Sequence, residues 1–243
     1  IAGSPEVRRL VNPNLSNSEV KQFGRNSFLF FKGTFSATQA LSTPANAVIH
    51  DEFDKSDTTQ SSVYVSRLQH KPHKIRKVFS TPTIEKFGVS KEAETAKRLK
   101  HLATCVHCSH TFLPDYFQHI HIPGWDKSME EITKRNIHTI RWREAVLLCP
   151  KCGKDPQLHH SRMQFVCENS MENHEANAWY VSPFSAHNIL TPPYLVNTST
   201  KFEKYSEFKN QTLGLTAEEK NDSIQESDIT GAEMPGLDSS DFH

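Results

Sequence analysis

The chain has 243 residues, of which 36% are hydrophobic and 23% are charged, and its formal net charge at pH 7 is zero. This length allows one core with an appendage, or two small domains. No apolar run approaches the ~18 residues of a membrane-spanning helix, and the N-terminus lacks the charged start and apolar core of a signal peptide. The composition therefore predicts a soluble protein that is neither exported nor associated with a membrane.

Three short apolar runs in the first third of the chain are predicted to be β-strands, at 27–32, 47–50 and 77–79. Because none of them alternates apolar and polar residues, we expect strands that are buried on both faces of a parallel sheet. Between the second and third runs, residues 58–70 are predicted to form a helix with Asp57 as its N-cap. The pattern indicates a strand–helix–strand unit of an α/β protein.

Acidic and hydroxyl side chains follow two of these predicted strands. Asp51 and Glu52 come directly after the second strand, and the third strand is followed by Ser80, Thr81 and Thr83. At the tip of a sheet, one carboxylate is able to hold hydrated Mg²⁺ and its neighbour to orient an attacking water, while hydroxyls on the next strand contact the phosphates. The arrangement favours a nucleotide-hydrolysis site. Two alternatives remain open, namely a chance acidic pair and a polar loop that merely ends a strand.

Residues 90–103 are predicted to form a second helix, capped by Ser90, with small apolar residues on one face and a basic outward face. The composition changes after this helix, since residues 104–178 are rich in cysteine, histidine and tryptophan. We therefore expect a domain boundary at residue 104.

Two C-x-x-C pairs lie in this second region, with 40 residues between them. The pairs are formed by Cys105 and Cys108 and by Cys149 and Cys152. Four thiolates make a complete tetrahedral ligand set for structural Zn²⁺, and Gly153 after the second pair suits a tight knuckle. Local disulfides or redox dithiols are the alternatives, but nothing in the sequence indicates an oxidising compartment. Cys167 is left over and is predicted to be a small buried hydrophobe, unless it or His107 replaces a ligand.

A third region begins at Trp179 and contains a predicted helix at 201–210, whose aromatic residues lie at helical spacing and which Gly214 would end. The last segment, residues 216–243, has eight acidic residues and one basic residue, a net charge of −7, so the preceding 215 residues carry +7. This asymmetry predicts a weakly ordered acidic tail and a basic body that faces a polyanion. A solvated tail on an ordinary domain would have the same composition.

Taken in order along nearly the whole chain, these motifs resemble the large subunit of tailed-phage terminases, most closely the members with a zinc knuckle after the ATPase core. The resemblance is carried by the paired cysteines and by FLFFKGTFS at 28–36, ALSTPA at 40–45, HDEFDKS at 50–56, FSTPT at 79–83 and WYVSPF at 179–184. It implies an α/β fold with a partial parallel-sheet P-loop-type ATPase core of the additional-strand, catalytic-glutamate class, a zinc-knuckle insertion and a helical linker. The implied segments are a partial ATPase core at 1–103, a zinc-knuckle subdomain at 104–178, a linker subdomain at 179–215 and the acidic tail at 216–243.

The resemblance also implies a function, the ATP-driven motor that packages viral DNA into the procapsid. Asp51 would be the Walker B aspartate, which coordinates Mg²⁺ through water, and Glu52 would position the water that attacks the γ-phosphate of ATP. Ser80, Thr81 and Thr83 would fall on the motif that couples hydrolysis to movement, with Ser80 and Thr81 reporting phosphate loss. The implied cofactors are ATP, Mg²⁺ and Zn²⁺.

The implied partners are double-stranded viral DNA, the terminase small subunit and the portal of the procapsid, in the host cytoplasm, and the full-length protein would form a homo-oligomer. DNA would be gripped through its phosphates, by contacts that carry no sequence information and weaken with salt. The candidate basic residues are Arg67, Lys71, Lys74, Arg76, Lys77, Lys97, Arg98 and Lys100. A solvated basic surface is the alternative explanation for these residues.

Two parts of the family pattern are missing from this sequence. It contains no G-x-x-x-x-G-K-[ST] phosphate-binding loop and no acidic nuclease motif near its end. We therefore expect an internal piece of a longer protein that does not hydrolyse ATP on its own. A superfamily-2 helicase fragment would share the Asp-Glu-x-Asp pattern of Asp51–Asp54, but its later arginine-rich motif is not found. A non-enzymatic zinc module that binds nucleic acid is the other alternative, and it leaves Asp51 and Glu52 without a role.

Overall fold

The computed structural model describes residues 4–35, 38, 43–69, 71–169 and 176–217. The chain divides into two compact units, Ile1–Ser80 and Thr81–His243. In the described residues, both units combine short helices with small sheets, which confirms the predicted α/β class. None of the described helices is long and apolar enough to cross a membrane. Most of the predicted acidic tail, residues 218–243, lies outside the described residues, as do 36 and 40–42 of the resemblance segments.

The first unit begins with a helix and a three-stranded antiparallel sheet. Ser4 caps the helix by accepting a hydrogen bond from the backbone N–H of Val7, and Pro5 occupies the first turn, where its missing N–H has no partner to lose. The elements are α1 (Pro5–Leu10), β1 (Val11–Ser16), β2 (Val20–Phe23) and β3 (Ser27–Phe30), with the strands in the order β1-β2-β3.

Strand β3 is largely exposed, so the prediction that residues 27–32 are buried on both faces is wrong. Phe28 and Phe30 are 50% and 40% exposed and stack on each other, with ring centroids 6.2 Å apart. The strand pairs with β2 in antiparallel register, with Val20 opposite Phe30. An antiparallel sheet leaves a face open to water more readily than a parallel sheet that helices cover. The apolar run therefore indicated a strand but not its surroundings.

A parallel strand pair follows in the first unit, as the strand–helix–strand pattern predicts. Strands β4 (Ala47–His50) and β5 (Ile75–Val78) are parallel and in register over their full lengths, and α2 (Ser61–Ser66) lies between them in the chain. Asp57 accepts a hydrogen bond from the N–H of Thr59 and so caps a 3-10 turn, Thr58–Gln60, which precedes α2. The single helix predicted at 58–70 is therefore observed as this turn and the shorter α2. Burial along β4 alternates, with Val48 and His50 buried, so this strand is covered on one face rather than two.

The second unit is built around a four-stranded sheet, and this sheet corrects the predicted helix at 90–103. The helix α3 (Gly88–Glu94) ends early, and residues Lys97–Thr104 form the strand β6 instead. The partners of β6 are β7 (Thr111–Phe112) and β10 (Met163–Cys167), both antiparallel, and β11 (Asn177–Tyr180), parallel. Two of these partners are distant in sequence, and their ladders override the local helical pattern, because helix propensity is a weak preference beside tertiary pairing.

The core of the second unit lies beside a small antiparallel pair, β8 (Ile120–His121) and β9 (Val146–Leu147). Three short helices contribute to it: α4 (Tyr116–His119), α5 (Pro192–Ser199) and α6 (Tyr205–Phe208). The core consists of Tyr116, Ile120, Ile122, Met129, Ile132, Ala145, Leu147, Phe184, Leu195, Val196, Phe208 and Leu213.

The predicted helix at 201–210 is observed as α6 followed by one π-helical turn, Lys209–Leu213. This turn ends at Gly214, whose φ is 66°, as expected.

Candidate active site and metal centre

The end of β4 carries the first candidate site, a segment that we call the acidic turn, Asp51–Asp54. The N–H of Phe79 donates to the carbonyl of His50 over 2.8 Å, and the N–H of Phe53 donates back to the carbonyl of Phe79 over 3.2 Å. The acidic turn therefore lies directly beside the residues that follow β5. This is the juxtaposition expected from two parallel strands that end at the same edge, and it is confirmed.

The predicted coupling residues have different surroundings. The side chain of Ser80 accepts a hydrogen bond from the N–H of Asp54 over 2.9 Å, which ties it to the acidic turn. Thr81 and Thr83 belong to the second unit. In that unit the carbonyl of Thr83 accepts hydrogen bonds from the side-chain amide of Asn210 over 3.1 Å and from the N–H of Ala217 over 3.0 Å.

Both acidic side chains of the predicted pair are exposed, and Glu52 has an unusual backbone conformation. Its φ of 50° and ψ of 44° lie in the left-handed region, which non-glycine residues rarely adopt. Its carboxylate forms an exposed ion pair with Lys55, 3.1 Å from Nζ, while the Asp51 carboxylate accepts a hydrogen bond from the N–H of Glu52 over 3.1 Å. Two carboxylates are thus presented at the surface, where a ligand reaches them.

Aromatic side chains pack beneath the acidic turn, and the sequence pattern did not reveal them. Phe53 is 3% exposed, and its ring packs edge-on against His50 with centroids 5.5 Å apart. The Arg76 guanidinium lies 5.9 Å from the same ring. Tyr64 in α2 contacts His50 and donates its hydroxyl to the carbonyl of Gly33 over 2.6 Å, and burial raises the pKa of this phenol. The available signal was Phe53 itself, an apolar residue inside an acidic run.

The four predicted cysteine ligands form the second candidate site in the second unit. Their sulfur atoms all lie within 4.8 Å of one another, and the Cys105–Cys152 and Cys108–Cys149 sulfur pairs are each 3.7 Å apart. Four sulfurs about 2.3 Å from a tetrahedral centre would be separated by about 3.8 Å. We call this group the cysteine cluster, and its geometry is compatible with a bound metal ion.

The two cysteine pairs fold as equivalent knuckles. In each, the residue that follows the second cysteine donates its N–H to the carbonyl of the first, from Ser109 to Cys105 over 3.0 Å and from Gly153 to Cys149 over 2.9 Å. These two donors have φ values of 56° and 65°, the left-handed conformation that closes such a turn. The tight knuckle expected at Gly153 is therefore present, and Ser109 makes the same turn without a glycine.

The electrostatics of the cysteine cluster favour a cation at its centre. Burial opposes ionisation of Cys149, but the backbone N–H groups of Cys152 and Lys151 and the neighbouring thiols lower its pKa to about 7. The N–H of His110 favours the Cys108 thiolate, yet desolvation and hydrogen bonds with the other three thiols raise its pKa to about 12. Several thiolates at these distances repel one another, and a divalent cation removes that repulsion.

Cys167 differs from its prediction. It is exposed on β10, and its sulfur lies 2.8 Å from the carbonyl of Asn169, so it is not a buried hydrophobe. The cluster found among the described residues consists of the four paired cysteines, without Cys167 or His107. An edge position in an open sheet, which the local sequence does not reveal, explains the exposure of Cys167.

The basic residues proposed for DNA binding divide between the two units. Arg67, Lys71, Lys74, Arg76 and Lys77 belong to the first unit, and Lys97, Arg98 and Lys100 belong to the second. The last three lie on β6 rather than on the outward face of a helix, so their predicted placement is wrong.

Strand geometry changes what these β6 residues present to solvent. Alternation along the strand places Arg98 and Lys100 on one face and Lys97 on the other. Glu168 pairs with Lys100 over 2.6 Å and with Arg98 over 3.7 Å, and the hydrogen bond from Lys100 lowers the pKa of Glu168. The charges of Arg98 and Lys100 are therefore partly balanced, whereas Lys97 is exposed on the opposite face.

Comparison with known proteins gives one family. The model of the phage terminase large subunit gpA, ATPase domain, matches residues 1–169, well over half of the chain. The matched range includes the acidic turn, the residues after β5 and both knuckles. No curated protein and no solved structure matches the chain. The family match favours a packaging ATPase over a helicase fragment or a non-enzymatic zinc module. The chain therefore belongs to the phage terminase large subunit gpA family through its ATPase domain, and the full-length protein is an ATPase of the motor that packages viral DNA.

Proposed function

We propose that the acidic turn is the hydrolytic centre of this motor ATPase, with Glu52 as the residue that positions the attacking water and Asp51 as the Walker B aspartate. The observation that supports this most directly is the parallel pairing of β4 and β5, which brings the acidic turn beside Ser80. In this proposal the two strands are part of a parallel P-loop-type core of the additional-strand, catalytic-glutamate class.

The two carboxylates have separate tasks in this proposal. Asp51 would hold hydrated Mg²⁺, which when bound would supply positive charge to neutralise the phosphates of ATP. Glu52 accepts a proton or hydrogen bond from the nucleophilic water and holds it in line with the γ-phosphate. Both side chains are exposed at one edge of the sheet, which supports an assignment to a ligand-facing role. Such catalysis consists mainly of positioning and electrostatics.

Ser80, Thr81 and Thr83 are proposed to form the coupling motif. Ser80 is the second residue after β5 and directly precedes Thr81, so in this proposal a change at the phosphates passes from Ser80 along the chain to Thr81 and Thr83. The contacts of the Thr83 carbonyl with Asn210 and Ala217 support a connection to the end of the described chain. Loss of the γ-phosphate would then be converted into movement.

We further propose that the cysteine cluster binds one structural Zn²⁺. The sulfur–sulfur distances of 3.7 Å and the two equivalent knuckles support a closed tetrahedral site, which stabilises a fold and does not need to be catalytic. In this proposal, residues 1–103 form the ATPase core, 104–178 the zinc-knuckle subdomain, 179–215 the linker and 216–243 an acidic tail.

We propose that the motor moves double-stranded viral DNA and that the eight basic residues named above hold this DNA through its phosphates. The exposure of Lys74, Lys77 and Lys97 supports a role in DNA binding for these three most directly, because an exposed ammonium group is able to reach a phosphate. Further proposed partners are the terminase small subunit, the portal of the procapsid and other copies of this subunit, in the host cytoplasm. Phosphate contacts of this kind predict DNA binding that weakens steeply with salt.

The substitution Glu52→Gln in the full-length protein tests the proposed centre. We expect ATP turnover to fall by about 10²–10⁴-fold, since Gln keeps the shape of the side chain but loses the base. ATP binding should persist, and steady-state hydrolysis together with equilibrium nucleotide binding measures both. Glu19→Gln, at an exposed residue of the first unit, is the matched control and should leave turnover unchanged. Full turnover in the Glu52→Gln variant would overturn the assignment.

A further inference from the structure

Ser80 makes a contact that its proposed part in the coupling motif does not require. Its side-chain oxygen accepts a hydrogen bond from the backbone N–H of Asp54, 26 residues earlier in the chain, over 2.9 Å. The bond reaches the far end of the acidic turn, two residues beyond Glu52. Ser80 therefore holds the backbone of the turn and not only its own strand.

Hydrogen bonds at both ends hold the acidic turn against residues 79 and 80. The carbonyl of His50 is bonded before the turn, and the N–H groups of Phe53 and Asp54 are bonded after it. Two of these bonds join backbone to backbone and persist in any variant that keeps the strands paired. The bond from Asp54 to Ser80 is made by a side chain, so a substitution at Ser80 removes it while these two backbone bonds remain.

Glu52 lies between the two ends of this clamp, in a conformation that needs support. Its left-handed backbone is unfavourable for a residue with a Cβ atom, and such a conformation persists where the surroundings determine it. Its side chain is 59% exposed, and among the described residues its carboxylate pairs with the exposed Lys55. The position of the carboxylate is therefore set chiefly by the backbone of the turn.

We propose that Ser80 is a positioning residue for Glu52: by accepting the Asp54 N–H, its hydroxyl fixes the turn that aims the Glu52 carboxylate at the attacking water. This inference rests on the role of Glu52 proposed above and deepens it. Ser80 then acts on hydrolysis through the acidic turn, whereas a hydroxyl that only contacted phosphate would act on nucleotide binding.

The test is a set of variants of the full-length protein assayed for the kcat and KM of ATP hydrolysis. Ser80→Ala should lower kcat by about 10- to 100-fold and change KM by less than about twofold, because a small misplacement of a catalytic group costs rate rather than binding. Ser80→Thr keeps the hydroxyl and should retain kcat within about threefold. Ser62→Ala is the matched control, since this exposed serine of the same unit bonds only locally, to the carbonyl of Thr59.

A double mutant separates positioning from general stability. If Ser80 acts through Glu52, adding Ser80→Ala to Glu52→Gln should cause no further loss in the single-turnover rate, because the group being positioned is already disabled. An equal further loss would identify a merely structural role and overturn the proposal. A normal kcat in Ser80→Ala, or a raised KM with a normal kcat, would overturn it as well.

The outcome also distinguishes this inference from the function on which it rests. Full turnover in the Glu52→Gln variant would contradict the hydrolytic role of Glu52 and, with it, the positioning role of Ser80. An inactive Glu52→Gln variant beside a fully active Ser80→Ala variant removes the positioning role alone.

Discussion

The acidic turn and the cysteine cluster are both short loops that follow strands, and both use a left-handed residue to reverse the chain. In the cysteine cluster these residues are Ser109 and Gly153, small residues that keep the turn close to the sulfurs. In the acidic turn the residue is Glu52, which bears a long charged side chain. In the knuckles the left-handed conformation falls on small residues. In the acidic turn it falls on the proposed catalytic residue.

The two regions also differ in what holds them together. The cysteine cluster has buried sulfurs at Cys105 and Cys149 and a ligand set suited to one metal ion. The acidic turn has exposed carboxylates above a buried Phe53 and is clamped by hydrogen bonds to the neighbouring strand. A site built around a metal ion is expected to unfold as a whole when one ligand is lost. A turn held by hydrogen bonds is expected to misplace its side chains before it unfolds.

Removal of one cysteine ligand should have the largest effect. Cys149→Ser is expected to abolish the binding of about one zinc per molecule and to lower the thermal stability of the second unit strongly, since structural zinc contributes on the order of 10 kcal/mol. Elemental analysis and thermal unfolding measure the two effects.

The exposed Cys167 provides the control for that experiment. Cys167→Ser makes the same chemical change outside the cluster and should keep both zinc and stability. A Cys149→Ser protein with unchanged zinc content, or a metal-free wild type with unchanged unfolding, would contradict the zinc assignment.

Replacement of Glu52 by glycine should separate stability from activity. Glu52→Gly removes the Cβ from a left-handed residue, and we expect the free energy of unfolding to rise by roughly 0.5–1 kcal/mol while ATP turnover is lost. Urea unfolding and an ATPase assay measure both quantities. An activity loss accompanied by clear destabilisation would show that Glu52 stabilises the turn.

Gly153→Ala is the reverse change in a knuckle. No atom lies within 4 Å of the added Cβ, so its cost comes from the backbone conformation alone and should be on the order of 1 kcal/mol. A stability equal to that of the wild type would contradict the role assigned to the left-handed turn.

The smallest expected effect is a pH dependence of stability in the second unit. Burial holds the pKa of His119 below its usual value of 6.5, because the opposing effect of the Asp115 charge is smaller and the nearby His110 also lowers it. The ring nitrogen of His119 accepts the N–H of Asp115 over 3.0 Å. The unfolded chain therefore binds a proton more readily than the folded chain. The stabilisation is present above pH 6.5 and is lost as the pH falls towards the lowered pKa of the folded state.

Thermal unfolding between pH 7.5 and pH 5.5 measures this dependence. His119→Gln keeps an acceptor without a titrating ring and should reduce the dependence, to which His101 and His187 also contribute through lowered pKa values. His138→Gln, at an exposed histidine, should leave it unchanged. An identical slope in wild type and His119→Gln would remove His119 as the cause.

The features predicted correctly from the sequence are those that depend on short spacings. The parallel pairing of β4 and β5 follows from two apolar runs joined by a helix, and it brings the acidic turn to Ser80. The cysteine cluster follows from two C-x-x-C pairs, because a two-residue spacing already forms a knuckle. The first feature is a single strand–helix–strand unit, and the second is one short motif that occurs twice.

The errors involve contacts between distant segments. Lys97–Thr104 has a helical pattern but forms a strand, because β10 and β11 supply ladders that no local window contains. Phe28 and Cys167 are apolar by type yet exposed, since burial depends on which elements cover a sheet face.

The amino-acid sequence by itself determined the family, the acidic and hydroxyl residues that follow adjacent strands and the four cysteines of the cluster, because these depend on residue type and spacing. Only the tertiary structure decided that Glu52 adopts a left-handed backbone and that Ser80 reaches across to the Asp54 N–H. Both features depend on the pairing of two segments that are separated in the chain. The free energy of such pairing depends on both segments together, so the local sequence of one segment does not reveal it.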